Sequence, residues 1–309
     1  MLLASTSSSP RPDNARSLRF ARASLAIATL LWAGNFIVGR ALRHDMAPLE
    51  LNFWRWLIAL AALLPLTLGS LWIGRALILR NTRLIALLAL TGVVVPHACV
   101  YTALATTHAV NALLLMSLTP LLVSLGDRAV FGEPLRQRQW LGMAVACAGA
   151  ITVITHGTID TLATLQLGRG DLWMVPAILG AAAHTLLLKR SPVSIAQAPL
   201  LTASVIAALV MMLPLLLLSD SLRAPPSDFR TVASLLYVGV LASAVAFLLW
   251  NRGVTQLGPA GVAPFLYLMP VYGSILSALL LGEAVMGFQY LGGAMVLAGL
   301  WLARRQRLS

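Results

Sequence analysis

Arg55 is the residue of this chain with the most to offer chemically. It sits in the run N-F-W-R-W (Asn52–Trp56), inside an apolar stretch long enough to cross a bilayer. Seven residues past Pro48, it lies roughly 10 Å into such a helix at 1.5 Å rise per residue. A cation at the centre of a spanning helix costs about 2.5–3.5 kcal/mol, so it must face protein or water. Its planar fork suits a substrate carboxylate. The competing readings are snorkelling to the nearer surface and a bridge to a helix-end carbonyl. His97 follows Pro96, and Tyr101 lies one turn on along the same face. A proline-bent helix showing His and Tyr to one side suits a cavity wall, although a hydrogen-bonded core histidine is the plainer alternative. Asn35, between Gly34 and Phe36, is an amide needing a partner, either another helix or a ligand. Ser243, Phe247 and Asn251 recur every fourth residue, and Tyr267 and Tyr272 flank Pro270. Asn35, Arg55, His97, Tyr101, Phe247 and Tyr267 are therefore the candidate substrate-binding residues. His184 lies close to Lys189 and Arg190 and reads as marking a helix edge.

Other residues read as structural. Glu133 and Glu283 each follow a glycine just before a helix, where a carboxylate caps free N–H groups and complements the helix dipole. Cys99 and Cys147 sit in apolar runs and read as small core hydrophobes. Trp54, Trp173 and Trp301 read as interfacial belting, and Trp56 and Trp250 take the same plain reading. The motifs H-E-x-x-H and G-x-S-x-G, a phosphate-binding glycine loop and a Cys/His metal cluster are all missing from the sequence. We therefore expect no cofactor, no metal and no catalytic residue. An intramembrane enzyme, the distant alternative, would have to use His97, Ser117 or Ser124, and nothing aligns these as nucleophile and base.

The elements that must position these side chains are spanning helices. Apolar residues make up 59% of the 309 and charged residues 10%, against about 25% charged in a typical soluble protein. So few charges cannot cover a water-soluble fold, and the partner implied is the lipid bilayer. The net charge of +12 does not indicate nucleic acid, because the basic residues lie in short clusters between apolar runs. Charges, Pro/Gly clusters and polar runs divide the chain into ten helices near 24–42, 48–69, 84–104, 110–130, 135–155, 171–188, 198–218, 232–250, 258–280 and 286–303. Residues 1–23, rich in Ser, Pro and Arg, read as a disordered cytoplasmic tail, and we expect no removable signal peptide. With the N-terminus inside, 16 of the 22 basic residues fall in cytoplasmic segments, 5 fall outside and Arg55 lies within a span. That split makes both termini cytoplasmic.

The chain also repeats itself. Shifted by 150 positions, Leu118–Gly149 lies on Leu268–Gly299 without a gap, and 11 of the 32 positions are identical. Chance in so apolar a chain gives about 3. Pro120/Pro270, Glu133/Glu283 and Gln139/Gln289 are among the matches. Ten helices in two copies means five each, so the second copy enters the membrane from the opposite face. The chain divides into the tail 1–23, a first repeat 24–155, a polar external linker 156–170, a second repeat 171–303 and a C-terminal cytoplasmic tail 304–309. Gly/Ala rows such as Gly142–Ala146–Ala150 and Ala294–Ala298 allow close helix approach. Whether they join helices five and ten within one molecule or across a homodimer stays open.

The paired segments S-L-T-P-L-L-V-S…F-G-E-P…Q-W-L-G-M-A…A-G (117–149) and Y-L-M-P-V-Y-G-S…L-G-E-A…Q-Y-L-G-G-A…A-G (267–299) resemble the EamA domain of the drug/metabolite transporter superfamily, present twice. L-L-W-A-G-N-F (30–36) and N-F-W-R-W (52–56) resemble the start of the same domain. The resemblance implies an all-α membrane protein, ten transmembrane helices as two inverted five-helix repeats, with alternating access around a central cavity. Helices one to four and six to nine would line it. Within the superfamily the chain is similar to amino-acid and metabolite exporters, the YddG-like aromatic amino-acid exporters among them. The expected function is export of small metabolites, aromatic or neutral amino acids first, across a bacterial-type inner membrane. Other amphipathic metabolites or drugs are the alternative.

No carboxylate lies deep in a predicted span, Asp127 coming nearest. This argues against obligate cation/proton antiport and leaves facilitated export or histidine-based coupling. The substrate chemistry is expected where the two copies differ. Arg55, His97, Tyr101 and Tyr267 stand opposite Val205, Phe247, Asn251 and Ser117.

Overall fold

Apolar runs bounded by turn residues become ten helical rods in the computed structural model, which describes residues 12–132, 135–158, 168–190, 196–218, 223–250, 252, 253, 256, 265, 266 and 268–303. The rods are α1 (Pro12–Ala41), α2 (Pro48–Arg80), α3 (Thr82–Thr106), α4 (Ala109–Val130), α5 (Gln137–Ile154), α6 (Arg169–Arg190), α7 (Gln197–Leu218), α8 (Phe229–Trp250), α9 (Leu268–Leu281) and α10 (Gly287–Ala303). No strand occurs among the described residues. Seven of the rods are long and apolar enough to cross a membrane, and α5, α9 and α10 are shorter.

Two rods outrun the sequence reading. Residues 12–23, expected to be disordered, continue α1. Pro12 opens the helix where its missing N–H costs nothing, and the Ala, Arg and Leu that follow are strong helix formers. Likewise α2 does not stop near 69 but runs 33 residues to Arg80, about 50 Å at 1.5 Å per residue. It starts at Pro48, with the Glu50 carboxylate accepting from the Ala47 N–H at 3.3 Å. Its second half exposes Leu66, Leu68, Trp72 and Ile73.

The repeat is visible in packing. Gly132 and Gly282 both turn the chain in the left-handed region, at φ 70° and 68°. Gln139 and Gln289 then cap α5 and α10 alike, accepting from Arg136 N at 2.9 Å and Met286 N at 2.8 Å. Ser124 and Ser274 each donate back to the carbonyl of the repeat proline, Pro120 or Pro270. Helix α5 packs on α10 and α2 on α7, so each pairs with its own counterpart, while α3 on α6 is matched by α8 on α1. The α5–α10 contact is reciprocal. A side chain at Gly149 would meet the Gly292 carbonyl oxygen at 2.6 Å, and one at Gly299 would collide with the Gly142 carbonyl oxygen. The Gly/Ala rows thus join α5 to α10 within one molecule. That face turns Cys147 outward, so only Cys99 is the buried cysteine expected of both. Helices α3 and α8 each contain a wider π-type turn, at Leu90–Val94 and Tyr237–Val245, in corresponding parts of the two copies.

Candidate substrate-binding site

Arg55 points into the bundle and neither snorkels nor reaches a helix-end carbonyl. Its residue is 2% exposed. Nε donates to Ser243 Oγ at 2.8 Å and Nη1 to the Tyr101 hydroxyl at 3.2 Å. Tyr101 in turn donates to Asn35 Oδ1 at 2.8 Å, and Ser243 donates to the Val238 carbonyl at 2.7 Å. One hydrogen-bonded row therefore runs Asn35–Tyr101–Arg55–Ser243–Val238 across α1, α3, α2 and α8. The Ser243–Val238 link spans five residues, the spacing of the π-type turn in α8. Such turns recur at functional sites because they re-aim side chains.

The electrostatics are unusual. Among the described residues Arg55 forms no ion pair, and both its hydrogen-bond partners are neutral hydroxyls. Its guanidinium also lies 5.0 Å from the Trp56 ring centroid. A buried cation without an anion carries a desolvation cost of several kcal/mol that hydroxyls only partly offset.

A second polar patch adjoins the first. Asn52 Nδ2 donates to the Val93 carbonyl at 3.2 Å, in the π-type turn of α3, and lies 3.3 Å from Met212 Sδ. Among the described residues, Asn52 Oδ1 and Trp56 Nε1 are buried without a hydrogen-bond partner. His97 contacts the same Val93 carbonyl through Nδ1 at 3.2 Å, and its ring forms a T-shaped pair with Trp56, centroids 5.4 Å apart.

Of the six predicted residues, Asn35, Arg55 and Tyr101 are bonded together, and His97 joins them through Trp56. Phe247 is half-buried one turn beyond Ser243, with no hydrogen bond to the group. Tyr267, Asn251 and Glu133 lie outside the described residues. Sequence reasoning missed Asn52 and offered interfacial belting as the plain reading of Trp56 without deciding for it, and Trp56 is only 6% exposed. The i, i+3, i+4 spacing of Asn52, Arg55 and Trp56 was the available signal. His184 contacts the Leu88 carbonyl at 3.2 Å and ties α6 to α3.

Above this group, toward the end of the bundle that carries Ala41 and Thr106, a charged cluster closes the packing. Arg40 Nε meets Glu283 Oε1 at 2.9 Å, and Arg40 Nη1 donates to the Leu104 and Ala105 carbonyls at 2.9 and 3.2 Å. Glu283 Oε2 accepts from Ser277 Oγ at 2.8 Å and from Ala109 N at 3.4 Å. Glu283 therefore caps α4, not the α10 it precedes. Burial pushes its carboxyl up, but hydrogen bonds from Arg40 and Ser277 and the nearby His108 and Arg40 charges outweigh that and hold it below its ordinary 4.5. Asp171, third residue of α6, is also buried and accepts from Thr107 Oγ1.

Known proteins match this architecture. The chain is 28% identical over 295 residues to a transporter of Archaeoglobus fulgidus, covering 90% of this chain and 95% of that one. It is 27% identical over 290 residues to a probable terminal-alkyne amino-acid exporter of Streptantibioticus cattleyicolor, covering 92% and 93%. A probable amino-acid metabolite efflux pump of Escherichia coli is 25% identical over 290 residues, covering 89% and 92%. A solved crystal structure shares the fold at a TM-score of 0.59 and 18% identity, over 93% of this chain and 97% of that one. The EamA-like transporter family matches residues 20–155 and 168–305, the two halves that the 150-residue shift and the paired helix contacts define. A ten-helix membrane bundle built from two such copies is a transporter, and this chain belongs to the EamA-like transporter family.

Proposed function

We propose that this transporter exports aromatic or neutral amino acids and related small metabolites from the cytoplasm across the inner membrane, by alternating access. Arg55 carries the reading: a buried guanidinium whose hydrogen-bond partners among the described residues are two hydroxyls suits a substrate carboxylate, which would supply an anion in bidentate geometry. Tyr101, Trp56 and His97 supply aromatic surface beside it, and Phe247 follows one turn beyond Ser243. The names of two relatives, an amino-acid exporter and an amino-acid metabolite efflux pump, support the same class.

The distribution of basic residues argues for cytoplasmic termini, which places the Arg40 end outside. Arg55 is buried in the present packing, so delivery requires one half to move against the other. The symmetric α5–α10 contact provides a fixed line for that motion. The test is flux of a labelled amino-acid panel in proteoliposomes. Movement of aromatic or neutral amino acids down their gradient is expected. Flux equal to that of empty liposomes across the whole panel would sink the substrate class.

A further inference from the structure

We infer that Asn52 and Trp56 complete the Arg55 site for the zwitterionic head of an α-amino acid, Arg55 and Trp56 Nε1 facing its carboxylate and Asn52 Oδ1 its ammonium. The inference rests on the carboxylate reading of Arg55 given above and sharpens it.

The three residues share one face of α2, where side chains at i, i+3 and i+4 are neighbours about 5–6 Å apart at Cβ. Arg55 and Trp56 are already in contact through the guanidinium and the indole ring. Their unused polar atoms divide by type. Arginine and indole N–H groups only donate. The Asn52 amide is committed to Val93, which leaves its carbonyl oxygen as an acceptor. The face thus offers a cation and an N–H donor beside one open acceptor.

Each buried polar atom left without a partner costs about 1–3 kcal/mol, and here two lie one turn apart. A ligand bearing an anion next to an ammonium satisfies both. A simple carboxylate or a phosphate leaves Asn52 Oδ1 unmet, and a simple amine meets the like charge of Arg55. The present partners of Arg55 can release it at little cost. The hydroxyl of Tyr101 keeps Asn35 Oδ1, and that of Ser243 keeps the Val238 carbonyl.

The experiment compares phenylalanine, 3-phenylpropanoate and phenethylamine in proteoliposomes, by flux and by competition against labelled phenylalanine. Wild-type protein is expected to prefer phenylalanine at least tenfold over either analogue. Asn52→Leu is expected to bring the phenylalanine/phenylpropanoate ratio near one. Trp56→Phe is expected to weaken phenylalanine and phenylpropanoate together. If phenylpropanoate competes as well as phenylalanine on wild type, the zwitterion inference falls while the carboxylate reading survives. If neither binds nor moves, both fall. The wild-type comparison stands whether or not the variants fold, and an unchanged ratio in folded Asn52→Leu overturns the role given to Asn52.

Discussion

Arg40 and Glu283, 243 residues apart in sequence, meet at 2.9 Å and between them hold the ends of four helices. Arg40 ends α1 and grips the last carbonyls of α3, where a cation complements the helix dipole. Glu283, between α9 and α10, accepts from the first N–H of α4, where an anion does the same. The same α1 and α3 carry Asn35 and Tyr101, so the ion pair lies one to two turns from the Arg55 group on the way to that end. Losing it should open that end. In detergent-solubilised protein with Cys99 and Cys147 replaced by Ser, Glu283→Gln should raise labelling of Leu104→Cys by a hydrophilic maleimide at least fivefold. Labelling of Leu88→Cys, near the other end of α3, should not change. A rise at both positions means that the pair merely stabilises the fold.

The repeat offset extends that expectation. It carries Arg40 to Arg190 and Glu283 to Glu133. Glu133 lies outside the described residues, as does the Arg190 side chain, so sequence alone supplies the correspondence. Glu133→Gln should then act at the opposite end, raising labelling at Leu88→Cys and not at Leu104→Cys. The reverse pattern would break the correspondence.

Acid should loosen the Arg40–Glu283 pair only well below neutrality. A carboxyl held below its ordinary 4.5 adds stability that is fully present above 4.5 and is lost as pH falls through the lowered value. Hydrogen exchange at residues 103–109, corrected for intrinsic rates, should be flat from pH 8 to 6 and accelerate only below about 4.5. Acceleration between pH 7 and 6 would assign control to another group.

Arg55 should matter for transport far more than for stability. A buried cation whose partners are hydroxyls contributes little to folding, and an apolar replacement of similar volume is often neutral or stabilising. Arg55→Met should leave the thermal midpoint in detergent unchanged or higher and cut amino-acid flux at least a hundredfold. Arg55→Lys should recover part of the flux, because it restores the charge without the fork. A midpoint lowered by many degrees in Arg55→Met would make Arg55 a structural residue.

Much of this molecule was legible in its sequence, for identifiable reasons. Helix number and repeat followed from apolar runs and identities at Pro120/Pro270 and Gln139/Gln289, because lipid forces continuous helices. Arg55, Tyr101 and Asn35 stood out because polar groups are costly in such runs. What stayed hidden depended on contacts between distant segments. Ser243 is ordinary in sequence and becomes the partner of Arg55 only when a π-type turn aims it there. Trp56 looks interfacial until α7 covers it, and Glu283 looks like the cap of its own helix until Arg40 and Ala109 reach it. Residues 12–23 misled because serines and a proline upstream disguised a helix-forming stretch.

The α5–α10 glycines also constrain how this chain can change. Gly149 abuts Gly292, whose counterpart in the other copy is Gly142, and Gly142 abuts Gly299, the counterpart of Gly149. Each position therefore answers both to a neighbour and to its own duplicate's neighbour, and a side chain at Gly149, Gly292 or Gly299 would strike the backbone of the facing rod. Around Arg55 the contacts are made by side chains and not by facing glycine backbone. An ancestral duplication could diversify there while its halves stayed alike along this line. On the reading proposed above, ligand range is the trait freest to evolve, and the packing along the α5–α10 line is the least free.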